Sequence, residues 1–161
     1  MFRRGCFFSW HSERESGNVT YCIMKTVQPN TSRWRILIAD DHAIFAEALR
    51  VYLEKTFTIV GTVADGRALL ADAVRLRPDV IVTDFAMPLL NGLDAARKIR
   101  EQAPTARFVF LTMHDDANLA AAALELGRVA FVLKHSGGQE LVKAIEEILH
   151  GGGLRDPQAA G

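Results

Sequence analysis

One run of residues delivers a carboxylate at a place suited to chemistry. Val80-Ile81-Val82-Thr83-Asp84 is an uninterrupted β-branched stretch that ends in an acid and then breaks into Phe85-Ala86-Met87-Pro88. Such a run reads as a strand buried on both faces, which needs no polar alternation. An acid at its carboxyl end lies at the sheet edge where open α/β folds bind ligands. Four more residues end strand-like runs in the same way: Asp40 and Asp41 after Ile36-Leu37-Ile38-Ala39, Thr112 after Phe108-Val109-Phe110-Leu111, and Lys134 after Phe131-Val132-Leu133. Crowded carboxylates repel unless a cation intervenes, and a hard divalent ion such as magnesium takes oxygen ligands of this kind. Asp41 and Asp84 are the expected direct ligands, Asp40 binds directly or through water, and the backbone carbonyl of Ala86 adds an oxygen. An ammonium at Lys134 and a hydroxyl at Thr112 would meet charge on a transferring phosphoryl group. The nucleophile of such a transfer would be Asp84, through an aspartyl-phosphate.

The elements that must position these residues follow from periodicity. Ile44, Phe45, Ala48, Leu49, Tyr52 and Leu53 define one face of a first helix. Phe57 to Val63 reads as a second strand, and Leu69, Leu70, Ala73, Val74 and Leu76 mark a helix that Pro78 ends. Asn91-Gly92 opens a third helix through Leu93, Ala96 and Ile99. Asp115 and Asp116 are N-cap candidates for an alanine-rich helix that reaches Leu126 and stops at Gly127. The fifth strand, Val129 to Leu133, precedes a helix that buries Leu141, Val142, Ile145, Ile148 and Leu149. Five strands alternating with five helices imply an α/β fold: a doubly wound, five-stranded parallel sheet in the flavodoxin-like order 2-1-3-4-5. That order sets strands one and three side by side, so Asp40, Asp41 and Asp84 converge.

Composition narrows the classes. With 49% apolar residues the chain can build one solid core, and 19 basic against 19 acidic residues leave no global pull toward nucleic acid or membranes. No apolar run approaches the roughly 20 residues of a membrane helix. Met1-Phe2-Arg3-Arg4 starts like a signal peptide, but the apolar run after it is too short. Cys6 and Cys22 both precede the regular pattern, consistent with a reducing cytoplasm. Residues 1–33 read as a flexible arm, 34–152 as one domain and 153–161 as a loose tail. Met24 offers a second start, and Phe7, Phe8 and Trp10 are the alternative reading of the arm as a docking segment.

Five phrases in order carry a resemblance: Ile-Ala-Asp-Asp-His at 38–42, Asp-Phe-Ala-Met-Pro at 84–88, Asn91-Gly92, Leu-Thr-Met-His-Asp-Asp at 111–116 and Phe-Val-Leu-Lys at 131–134. From about Arg35 to Gly152 the chain resembles the receiver domain of bacterial two-component response regulators, and its phrases are most similar to the NarL/FixJ branch. The resemblance implies that Asp84 accepts a phosphoryl group from a sensor histidine kinase or phosphotransfer protein, that Asp40 and Asp41 hold magnesium, and that Thr112 and Lys134 sense the phosphoryl group. It also implies that Phe131 is a switch aromatic which swings inward, altering the face made by the fourth helix, fifth strand and fifth helix. Gly127-Arg128-Val129-Ala130 departs from the small residues usual there and sets a charge beside that face.

Simpler readings compete at each position. Asp40 and Asp41 could cap the first helix, Thr112 could simply suit a strand end, and Phe131 could be plain core. His42, His114 and His135 match no zinc spacing and read as polar loop residues. An aspartyl-nucleophile phosphohydrolase would want a second acid where Ala86 stands, so the expectation is a signalling module and not an enzyme. Eight residues follow Gly153, too few for a helix-turn-helix. The expected outputs are therefore stand-alone action, a homodimer or a downstream protein partner, without direct nucleic-acid or membrane binding. The alternative is a LuxR-type transcriptional regulator that has lost its DNA-binding domain.

Overall fold

The computed structural model describes residues 33–113 and 117–151. Most of the arm, the Asp115 and Asp116 caps, His114 and the tail lie outside the described residues. Among the described residues ten elements alternate: β1 (Arg35–Ala39), α1 (Ala43–Leu53), β2 (Thr58–Val63), α2 (Gly66–Leu76), β3 (Val80–Asp84), α3 (Gly92–Gln102), β4 (Phe108–Thr112), α4 (Ala117–Leu124), β5 (Val129–Leu133) and α5 (Gly138–Leu149). The strands form one parallel sheet in the order β2-β1-β3-β4-β5. This is the architecture that the alternating pattern predicts.

The pleat sends successive side chains to opposite faces and so builds two cores. Ile36, Ile38, Val80, Val82, Val109, Leu111 and Val132 point to one side, under α1 and α5, where Leu49, Leu53, Leu141, Ile145 and Ile148 cover them. Leu37, Ile81, Phe108, Phe110 and Phe131 point to the other, against Leu69 of α2, Leu93 and Ile99 of α3 and Ala123 of α4. Central β3 is buried along its whole length, hence its unbroken apolar run. Burying each of these large side chains contributes about 1.5–3 kcal/mol.

Local chemistry sets the helix starts. Asp65 accepts the backbone N–H groups of Arg67 and Ala68 at 2.9 and 2.8 Å, and Asn91 accepts that of Asp94 at 2.8 Å. At the start of α1, His42 occupies the cap position with no side-chain cap hydrogen bond of its own, and Asp40 Oδ1 accepts the backbone N–H of His42 at 2.8 Å.

The face assigned to α1 needs correction. Ile44 is 89% exposed and Ala48 is exposed, whereas Ala46, Leu49 and Leu53 are buried, with Phe45 and Tyr52 half-buried beside them. Residues 44, 48 and 51 form a second apolar stripe, turned to solvent because α1 meets the sheet along the neighbouring stripe. Val74 is likewise exposed and Val142 only half-buried. The alanine-rich helix ends at Leu124 instead of Leu126. Among the described residues, no helix is long and apolar enough to cross a membrane.

Candidate functional site

Strand register brings the acids together. Ala39 of β1 stands opposite Thr83 of β3, so the residues that follow, Asp40 and Asp84, emerge side by side. One ligand atom from each of Asp40, Asp41, His42 and Asp84 fits within a 4.8 Å cluster. Asp40 and Asp84 are buried, while Asp41 and His42 face solvent.

Lys134 closes the cluster from β5. Its Nζ donates to Asp84 Oδ2 at 2.6 Å and lies 2.7 Å from Asp40 Oδ2, with the side chain only 7% exposed. At this distance the ammonium compensates the buried Asp40 oxygen as well as that of Asp84. Burial works to lower the lysine pKa, but the contacts with Asp40 and Asp84 outweigh it and hold the ammonium above the ordinary lysine range. The Phe45 ring lies 4.9 Å from the same nitrogen, adding a cation–π contact.

The loop after Asp84 is built tightly. The backbone N–H of Ala86 donates to Asp84 Oδ1 at 3.2 Å, and Thr83 Oγ1 donates to the Asp84 carbonyl at 3.0 Å. Gly92 donates its N–H to the Phe85 carbonyl at 2.9 Å, and a Cβ at Gly92 would overlap the carbonyl of Asp84. Thr112 stands half-buried at the end of β4, in register with Leu133, and its carbonyl accepts the N–H of Lys134 at 2.8 Å.

Phe131 is buried in the second core and lies in register with Phe110. Its ring stacks with Phe85 at 6.1 Å and with Phe110 at 5.9 Å, and those two stack at 4.5 Å. Phe131 is thus already turned inward, and Phe85, the neighbour of Asp84, links it to the acidic site.

The structure thus unites Asp40, Asp41, Asp84 and Lys134 and sets Thr112 on the same edge. His42 is an exposed loop residue, and its Nδ1 lies 3.1 Å from Asp40 Oδ1 and 3.0 Å from Asp41 Oδ1, a contact that sequence reading did not foresee. Phe85 and Gly92 were missed as well, because neither carries a reactive group. His135 is exposed, as a polar loop residue would be.

The donor set suits a hard cation. Three carboxylates supply oxygens, and among the described residues only the Lys134 ammonium is close enough to balance both Asp40 and Asp84.

Comparison with known proteins agrees with this geometry. Residues 36–146 match the family described as the response regulator receiver domain. The chain is 29% identical over 133 residues to the transcriptional regulatory protein DegU of Brevibacillus brevis, covering 81% of this chain and 56% of that protein. It therefore spans little more than half the length of this relative. The solved structure of a LuxR-family two-component response regulator from Aurantimonas sp. SI85-9A1 superposes with a TM-score of 0.74 at 35% identity, covering 80% of this chain and 94% of that one. The signal receiver domain of NarL from Mycobacterium tuberculosis gives 0.70 at 30% identity, covering 74% and 98%. With an acid pair just after β1, a lone aspartate closing β3 and a lysine just after β5 all at one sheet edge, the chain belongs to the response regulator receiver domain family.

Proposed function

We propose that Asp84 is the phosphoacceptor of a two-component phosphorelay. The observation that carries this reading is the pairing of its carboxylate with Lys134 at 2.6 Å inside a cluster that includes Asp40 and Asp41. An Asp84 oxygen attacks the phosphorus of a phosphohistidine on a sensor kinase or phosphotransfer protein. The P–N bond breaks, and its electron pair stays on the imidazole nitrogen, which then takes a proton from water. A mixed anhydride is left on Asp84.

Magnesium, held by Asp40, Asp41, Asp84 and the Ala86 carbonyl, would neutralise charge on the phosphoryl oxygens. Lys134 moves part of its pairing from the carboxylates to a phosphoryl oxygen, and the Thr112 hydroxyl donates to another. On this reading the protein acts in the cytoplasm as a substrate of its donor, without turnover of its own.

The response passes to the face made by α4, β5 and α5, which protein contacts then read. The stack from Phe85 to Phe131 supports this route, since it joins the residue after Asp84 to the middle of β5. Phe131 is buried, so the reading assigns it an exchange between this position and an outward one, biased by the phosphoryl group.

Incubation with acetyl phosphate and magnesium, followed by intact-mass analysis, tests the site. Addition of one phosphoryl group is expected, with none in Asp84→Asn. An unmodified wild-type chain overturns the reading, and sustained turnover of small phosphate esters would make the protein a phosphatase instead.

A further inference from the structure

A groove of about 430 Å³ lies between α2 and α3, away from α4, β5 and α5, lined by Arg67, Leu70, Ala71, Leu89, Leu90 and Lys98. The loop that leaves Asp84 forms its apolar wall. There the N–H of Leu90 donates to the carbonyl of Pro88 at 2.8 Å, and Leu89 between them has a φ of 66°. This is a γ-turn with its central residue in the left-handed region, a strained conformation for any residue but glycine. The turn holds Leu89 out in water, 70% exposed. One turn along α2 from Leu70, Val74 is 43% exposed and extends the same apolar strip.

Charge tells what would cover this strip. Among the described residues, Arg67 and Lys98 have no ion-pair partner, and Glu101, three residues beyond Lys98 on α3, forms no ion pair with it, while other nearby carboxylates are engaged elsewhere. Asp72 pairs with Arg75 at 2.8 Å, Asp94 pairs with Arg97 at 3.1 Å, and Asp65 caps α2. Two cations outside any ion pair therefore border an apolar floor that ends in an exposed leucine.

We propose that the α2–α3 groove docks an acidic peptide segment of a partner protein, one that seats a bulky apolar side chain against Leu70, Leu89 and Leu90 and sets carboxylates against Arg67 and Lys98. The apolar contact supplies the hold, and the charge pairs fix orientation and exclude basic segments.

The test uses a fluorescein-labelled peptide, EDLEELLDE, and the full chain in fluorescence anisotropy and amide chemical-shift mapping. Saturable binding is expected, with shifts confined to α2, the 85–91 loop and α3. Arg67→Glu with Lys98→Glu should weaken it at least about tenfold, equivalent to about 1.4 kcal/mol. The same double variant should instead bind a peptide with lysine at every acidic position. Both substitutions sit on exposed side chains, and circular dichroism checks that the variant folds. Leu89→Ser should weaken binding without a change of charge. Binding that survives charge reversal overturns the proposal, as do shifts outside the groove. Capture of anionic lipid vesicles by Arg67 and Lys98 without peptide binding, or a dimer that the double variant dissolves, would also overturn it.

Discussion

Lys134 bridges two buried carboxylates, and taking away one partner of such a set leaves uncompensated charge inside the protein. Lys134→Met should therefore cost roughly 3–5 kcal/mol at neutral pH, read by urea unfolding. The pH dependence has a definite sign. The folded lysine pKa is raised, so its stabilisation is complete below the unfolded value of about 10.4 and is lost as pH climbs through the higher folded value. The stability gap between wild type and Lys134→Met should hold from neutral pH up to that range and narrow above it. A gap that closes well below the lysine range would contradict the pairing. Asp84, Asp40, Asp41 and Lys134 were all legible in the sequence, because each ends a strand and strand ends meet at one edge. The contact of His42 with both acids was not legible, since it depends on how α1 departs from β1 and no spacing rule records that.

At the scale of elements, the β3–α3 loop depends on a close approach that only glycine allows. A methyl group at Gly92 would strike the Asp84 carbonyl, and one at Gly66 would strike the carbonyl of Leu90. Gly127 differs, with a φ of 61° and open space where a Cβ would go. Gly92→Ala should destabilise by about 1–3 kcal/mol through overpacking and slow phosphorylation by acetyl phosphate, because the displaced atom belongs to the acceptor residue. Gly127→Ala should cost about 1 kcal/mol of backbone strain and leave the phosphorylation rate unchanged. Equal rates in the two variants would detach the loop from the chemistry. Phe131→Ala removes a ring from the stack with Phe85 and Phe110 and should cost about 3–5 kcal/mol in the same unfolding assay. Strand and helix order were readable from periodicity, yet the rotation of α1 was not. Its apolar residues fill two adjacent stripes, and the choice between them is made by the sheet surface and α5, which no local pattern describes. Ile44→Ser should consequently shift stability by no more than about 0.5 kcal/mol, which thermal unfolding can check.

Across the whole molecule, the sheet is a partition. Ile148 of α5 belongs to the core on one side, and Ile99 of α3 to the core on the other. Alternate residues of the same strands supply the two cores, so Ile36 and Ile38 serve the first while Leu37 and Ala39 serve the second. Each core is close-packed, and removing one methyl group from a buried isoleucine costs about 0.5–1.5 kcal/mol. Both helices pack on a single sheet, so unfolding should remain one cooperative transition in each variant. Their energies need not couple, however, because side chains on opposite faces share no contact and a β-strand between them can absorb a missing methyl on one side without moving the other. Ile99→Val and Ile148→Val should therefore each lower the unfolding free energy by that amount, and the double variant should show their sum to within about 0.3–0.5 kcal/mol. A larger coupling, measured by urea unfolding of all four proteins, would mean that strain crosses the sheet. Crossing of that kind is what a signal from the acidic edge to α5 would require beyond the Phe131 stack, so additivity here confines the proposed route to the aromatic face.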